Sequence, residues 1–480
     1  MADAAVRRCD LAIVGSGGAG FAAAIAARRA GLKVVMVERG VVGGTCVNTG
    51  CVPSKALLAA ANARRQALDE RFPGIATQAG PVDFGELIEA KRTLVEGMRT
   101  QKYAEVAAGY GWEILGGTAR LAGQATAPVL EVILTEGGTA RVEAEHYLIA
   151  TGSAPWAPPI DGLAEAGYLT STSAMELTEP PGSLLVLGGN AVGLEQAQMF
   201  SHLGVDVTIV ERLDRLAPFE EPEISQAITV ALADEGIGVI TNATVTSVGR
   251  DAGGYRVRGE RDLDVGAAQL LVATGRRPVT SGLGLETVGV QLDDRGAIRV
   301  NQHLQTTNPR IWAAGDVTGS PQFVYLATAQ GAAIVDNAFD QAGRTIDEAL
   351  VPRVTFTSPA IAAVGLTEAQ AEARAQGHAG LACECRILPL EQVPRALVNR
   401  DTRGVIKLVA ERVSGRLRGV HVVADGAGEL IQAAVYALAC GMTTDQMAEA
   451  WSPFLTMTEG LRLAALSFTR DVSKLSCCAS

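Results

Sequence analysis

A chain of 480 residues exceeds what one ordinary hydrophobic core fills, so two or three domains are expected, and 48% hydrophobic residues exclude a disordered chain. The formal charge of −11, with no block of lysine or arginine, excludes a protein that follows a nucleic-acid backbone. With 54 glycines and 4% aromatics, the composition fits α/β architecture, in which glycine turns link strands to small-faced helices.

The first residues, MADAAVRRCDLAIVGSG, run into a strand without a separate apolar stretch or a small-residue cleavage site, so no secretory signal is expected. No apolar run reaches membrane-spanning length, and no membrane partner is expected. The expectation is a cytoplasmic protein, in which structural disulfides are rare and the eight cysteines are candidates for chemistry. Cys9 is expected to begin the first strand as a core residue.

Cys9 to Gly40 reads as strand, glycine turn, helix and strand. Gly15-Ser16-Gly17-Gly18-Ala19-Gly20 fits G-x-G-x-x-G, and Glu38 closes the second strand. Gly15, Gly17, Ala19 and Gly20 would let backbone approach a pyrophosphate at the helix N-terminus, while Glu38 accepts from ribose hydroxyls. A glycine turn serving packing alone is the competing reading.

A few residues later, Gly43 to Lys55 carries Cys46 and Cys51 with four residues between them. If Cys51 opens the helix VPSKALLAAANARRQAL, the helix dipole favours its thiolate, and a dithiol beside a flavin site passes two electrons on by thiol chemistry. Two buried, inert cysteines are the bland alternative.

The pattern repeats at Ser183 to Arg212, around Gly188-Gly189-Asn190-Ala191-Val192-Gly193, so two nucleotide sites are expected. Asn190 replaces the middle glycine and is expected to tolerate left-handed backbone there. The following strand ends in Glu211-Arg212, which leaves NADH and NADPH both open. Thr-Gly turns recur in HYLIATGS and LLVATGRRP; RIWAAGDV precedes the helical stretch VYLATAQGAAIVDNAF. From Pro352 the strands IKLVAER and GVHVVA and the helix ELIQAAVYALACG point to an α+β domain, with Cys440 in the helix core. Cys383 and Cys385 face one way on a strand, but without a third ligand they make a weak metal site.

GSGGAG, GGTCVNTGCVPSK, ATGS, ATGRRP and AAGDV, in this order, resemble the pyridine nucleotide-disulfide oxidoreductase family over nearly the whole chain. The resemblance implies an α/β protein with two Rossmann-like dinucleotide-binding domains and a C-terminal α+β dimerisation domain. An FAD-binding domain at 1–151 and 276–350 would be split by an NAD(P)H-binding domain at 152–275, with dimerisation through 351–480. It implies a homodimer whose active sites borrow the partner's C-terminal domain. It also implies FAD and NADPH or NADH as cofactors, with Asp316 at the flavin side, Lys55 near the flavin N5 and Glu195 near the nicotinamide. Thr45, Thr151 and Gly152 would join the first cofactor site, and Gly188, Gly193, Glu211, Arg212 and Gly275 the second.

Family members that reduce disulfides carry a histidine five residues before a C-terminal glutamate; here Phe454 stands five residues before Glu459, and none of the five histidines is near. A leaving thiolate would lack its acid–base partner, whereas a metal ion needs none. The chain ends in Cys477 and Cys478, adjacent thiolates suited to a soft two-coordinate ion. This tail, the segment VPRALVNRDTRG and the missing histidine resemble the members that reduce mercuric ion. The resemblance implies Hg(II), delivered as a thiol complex, collected by Cys477 and Cys478 and passed to Cys46 and Cys51 of the other subunit. Phe454 departs from the tyrosine usual in those members, and no Cys-x-x-Cys precedes Cys9. Two readings compete: a dihydrolipoamide dehydrogenase-like or other dithiol reductase with an unusual base, and a flavoprotein that sequesters Hg(II) without turnover.

Overall fold

An apolar run, a glycine turn, an alanine-rich run and a second apolar run become the strand Ala5–Val14, the helix Gly18–Arg29 and the strand Val34–Glu38. In the computed structural model of this protein, which describes residues 5–375 and 382–476, the chain divides into two compact units. The first comprises Met1–Ala56, Glu86–Trp156 and Gly275–Glu348.

In that unit Ala5–Val14 pairs in parallel with Val34–Glu38 on one side and with Thr139–Ile149 on the other, and Ile311–Ala313 extends the parallel set. Val14 lies opposite both Val37 and Ile149, and Ile149 opposite Ala313, so four strands finish level with one another. The loops that follow them, at Gly15, Gly40, Ala150 and Ala314, leave one carboxyl edge, where parallel sheets bind ligands. Glu113–Gln124 and Ala127–Leu134 complete the six-stranded sheet. The helix Val324–Phe339 packs on the first helix so closely that a Cβ at Gly331 would stand 2.1 Å from the Ala19 carbonyl oxygen.

The second unit comprises Leu57–Gly85, Ala157–Thr274 and Ala349–Ser480. It holds a four-stranded parallel sheet in the order Gln269–Val272, Ser183–Leu187, Asp206–Val210 and Gly238–Ile240. It also holds a five-stranded antiparallel sheet, in which Cys383–Pro389 is an edge strand beside Val405–Glu411. The helix Ala427–Ala439 buries Leu430, Ile431 and Ala434 in the core of that sheet. Among the described residues no helix is long and apolar enough to cross a membrane.

A buried polar network braces this unit. Glu235 Oε2 lies 2.9 Å from His202 Nε2 and accepts from Gln198 at 2.7 Å, while Arg403 donates to Glu235 Oε1 at 2.8 Å and to Asp401 Oδ1 at 2.9 Å. Burial pushes both carboxyls up, but these donors outweigh it and hold both below the ordinary carboxylate range. A depressed folded-state pKa stabilises above the unfolded value and is lost as pH falls through the folded one. The melting temperature is therefore expected to fall as pH drops below roughly 4, the ordinary carboxylate range. Glu235→Gln should flatten that acid limb in a pH series of thermal melts.

Candidate active site

At the carboxyl edge of the first sheet, Gly15 turns with φ +102°, and a Cβ there would lie 2.4 Å from the Ala150 carbonyl oxygen. Gly17 caps the first helix, and a Cβ on it would meet nothing within 4 Å. The helix N-terminus is thus open to an anion, with backbone N–H groups and the dipole directed at it. Glu38 is held rigidly beside it: Oε2 accepts from the Ser16 amide at 3.0 Å and the Ser16 hydroxyl at 2.6 Å, and Oε1 from the Gly40 amide at 2.8 Å. These residues fit a dinucleotide.

The cysteine segment is fastened to this loop. The Gly43 amide donates to Ser16 Oγ at 3.0 Å, and a Cβ on Gly44 would stand 2.5 Å from the Gly17 Cα. Thr45 and Cys46 lie on the short helix Gly44–Asn48, and Cys51 is the first residue of the helix Cys51–Leu68, so the condition for a dipole-favoured thiolate is met. Cys46 is half-buried and Cys51 exposed. The hydrogen bond with Cys51, followed by burial, pushes the Cys46 thiol far above its usual range. Cys51, exposed at the first residue of its helix, stands where the helix dipole favours a thiolate. Lys55, one turn along from Cys51, opposes the rise at Cys46 by its positive charge.

Three groups that sequence reasoning passed over complete this region. Ser153 Oγ donates to Asp316 Oδ2 at 2.6 Å and accepts from Arg276 Nε at 2.8 Å, while an Arg276 Nη donates to the Ser153 carbonyl at 2.6 Å. Arg276 is buried enough to lower its pKa, and the charges of Asp316 and Cys51 oppose that loss. A guanidinium in the field of the pair favours the thiolate. The signal for Arg276 was its place directly after Gly275. Tyr103, pushed up by burial and then by the charges of Cys46 and Cys51, lies 52 residues beyond Cys51 and had no signal in the sequence. The Thr151 hydroxyl donates to the Val279 carbonyl at 2.7 Å, and Gly152, with φ +68°, and Gly275, with φ +131°, have open space where a Cβ would be.

In the second unit the other glycine loop has the same construction. Gly188 turns with φ +107°, and a Cβ on Gly193 would stand 1.9 Å from the Gly188 carbonyl oxygen. Asn190 differs from expectation: it is extended, with φ −107°, because Gly188 makes the left-handed turn and position 190 serves as the helix N-cap. Glu211 accepts from the Gly189 amide at 2.6 Å and the Leu213 amide at 2.8 Å, as Glu38 does from its own loop, and Arg212 is exposed beside it. Glu195 is buried on the helix Ala191–His202 and accepts from the Phe356 amide at 2.8 Å.

Two cysteine expectations need correction. Cys9 lies mid-strand and is only half-buried, because the strand begins at Ala5. Cys440 is exposed rather than core, because the helix stops at Ala439 and the chain turns at Gly441 with φ +64°. Phe454 is exposed, and buried Glu459 accepts from the Leu455 amide at 3.3 Å. Cys477 and Cys478 lie outside the described residues.

Residues 9–331 match the pyridine nucleotide-disulphide oxidoreductase family, and residues 351–465 match its dimerisation domain. The chain is 58% identical to a mercuric reductase of Streptomyces lividans over 98% of each chain. It is 46% identical to a mercuric reductase of Staphylococcus aureus over 98% of this chain and 84% of that one. Among solved structures it resembles the Cu(II) complex of an HOCl-induced flavoprotein disulfide reductase from Escherichia coli. There the TM-score is 0.85 and the identity 30%, over 97% of this chain and 100% of that one.

Proposed function

Since the chain belongs to the pyridine nucleotide-disulphide oxidoreductase family, and within it to the mercuric reductases, we infer that it reduces mercuric ion to elemental mercury with electrons from NAD(P)H. The balance is simple: the hydride pair of NAD(P)H goes to Hg(II), giving Hg(0), NAD(P)+ and a proton, while the sulfurs that held the ion end as thiolates. FAD bound at the first loop supplies the two-electron exchange between the nicotinamide and the sulfur pair.

The observation that carries the reading is the Cys46–Cys51 pair tied through Gly43, Ser16 and Glu38 to a nucleotide loop. Gly15, Gly17, Ala19, Gly20, Glu38, Thr45, Thr151, Gly152 and Asp316 would hold FAD. Gly188, Gly193, Glu211 and Arg212 would hold the nicotinamide dinucleotide, with Glu195 toward its ring. Exposed Arg212 supports NADPH, since a guanidinium beside the ribose carboxylate accommodates a 2′-phosphate. Cys51 holds Hg(II) as thiolate and Cys46 joins it, giving up its proton as the metal replaces it. Lys55 and Arg276 favour the anionic pair by charge. Cys477 and Cys478 of the partner subunit would hand the ion over by thiolate exchange.

The protein is a homodimer through its C-terminal region, and exposed Tyr436, Trp451 and Phe454 give that region apolar surface for a second copy to cover. The FAD domain is assigned to 1–151 and 276–350, the NAD(P)H domain to 152–275 and the dimerisation domain to 351–480. The cytoplasm, where small thiols carry Hg(II), is the assigned location.

The test is NAD(P)H oxidation by the purified holoenzyme with and without Hg(II) in excess thiol. Oxidation that requires Hg(II) and releases volatile mercury is expected. Turnover of lipoamide or a disulfide instead would move the chain to the dithiol reductases, and stoichiometric Hg(II) binding without oxidation would make it a sequestering protein. Gly44→Ala should lower the flavin retained per chain severalfold by absorbance, because its Cβ would collide with the Gly17 Cα at a backbone φ of +66°.

A further inference from the structure

The edge strand Cys383–Pro389 places Cys383 and Cys385 on one face, as alternate strand residues must lie. The helix Glu368–Ala375 begins beside them, its start fixed by reciprocal hydrogen bonds between Thr367 and Gln370 at 3.0 and 3.2 Å. This brings the Glu368 carboxylate to the two sulfurs, and one ligand atom from each of the three residues lies within 4.8 Å of the others. Cys46 and Cys51 belong to the other compact unit. We propose that Glu368, Cys383 and Cys385 form a second, non-redox site for a thiophilic divalent cation.

The surrounding charge favours a dication. Buried Lys407 lies 3.1 Å from Glu221, 3.0 Å from Glu223 and 2.7 Å from Glu368, so one ammonium faces three carboxylates. The Cys385 thiol is hydrogen-bonded to Glu368, and burial followed by the Glu368 charge pushes it well above its usual range. Burial also raises Cys383. Both sulfurs therefore hold protons at neutral pH until a cation replaces them. The exchange balances as one M2+ taken up and two protons released, with no change of oxidation state, so affinity rises with pH. Two thiolates and a carboxylate suit Zn(II), Cd(II) or Hg(II), and three protein ligands leave a fourth position for water or an exogenous thiol.

The probe is Cd(II), titrated into oxidised holoenzyme carrying Cys477→Ala and Cys478→Ala, in which the Cys46–Cys51 disulfide and the altered tail leave no competing thiol pair. One Cd(II) per chain, two protons released and an ultraviolet thiolate-to-metal band are expected. In the same background, Cys383→Ser with Cys385→Ser should abolish the band. Glu368→Gln, which keeps both sulfurs, should weaken binding at least about tenfold, the scale of a lost metal-supporting group. With the tail intact, the serine pair should leave flavin content and Hg(II)-dependent NAD(P)H oxidation unchanged, which separates this site from the reductase reading. Absence of the band at one equivalent, its survival in the serine pair, or unchanged affinity in Glu368→Gln would overturn the proposal.

Discussion

Replacing Cys51 with serine is expected to lower Hg(II)-dependent NAD(P)H oxidation by at least about a thousandfold, the scale seen when a group that touches the reacting atoms is removed. FAD should remain bound, because the residues assigned to it keep their contacts with Glu38 and Ser16. Cys46 is driven up first by its hydrogen bond to Cys51 and then by burial, whereas Cys51 is exposed at a helix start, where the dipole favours a thiolate, so Cys51 is the sulfur expected to meet a soft cation first. Alkylation separates the roles: in reduced Cys46→Ser enzyme, Cys51 should react with iodoacetamide at neutral pH. In Cys51→Ser enzyme, Cys46 should react more slowly, because burial still raises it. Mercury turnover by Cys51→Ser within tenfold of the unaltered enzyme would remove the pair from the mechanism.

Replacing Cys477 and Cys478 with alanine is expected to slow turnover of tightly thiol-bound Hg(II) by about a hundredfold, while reduction of the flavin by NAD(P)H stays unchanged. A thiol pair on the same assembly presents the ion at a high effective concentration, and losing such a tether costs about 10²-fold or more. The loss should shrink with weakly held Hg(II), which reaches Cys51 without a carrier. Equal loss with strong and weak mercury ligands, measured as kcat/KM, would count against the hand-over. Phe454 adds no ionisable group to the reaction, so no pH dependence of turnover should trace to that position.

The two glycine loops, their closing acids Glu38 and Glu211, the start of a helix at Cys51 and the missing C-terminal histidine were legible in the sequence. Each is a local property: a left-handed turn needs glycine, a helix start needs a free N-terminus, and a general base needs a titratable side chain. The expectation of left-handed backbone at Asn190 failed because Gly188 had already made the turn. The expectation that Cys440 lies in a core failed because an apolar stretch does not reveal where its last turn ends.

The tertiary structure decided how distant segments meet. Ser153 lies 123 residues before Arg276 and 163 before Asp316, and they join only because the chain re-enters the first unit at Gly275. Glu368 reaches Cys383 and Cys385 because a helix start is set beside an edge strand. Local chain stiffness writes turns and helix starts into short stretches of sequence. Sheet register and packing, which depend on every strand at once, choose which of those stretches share a site.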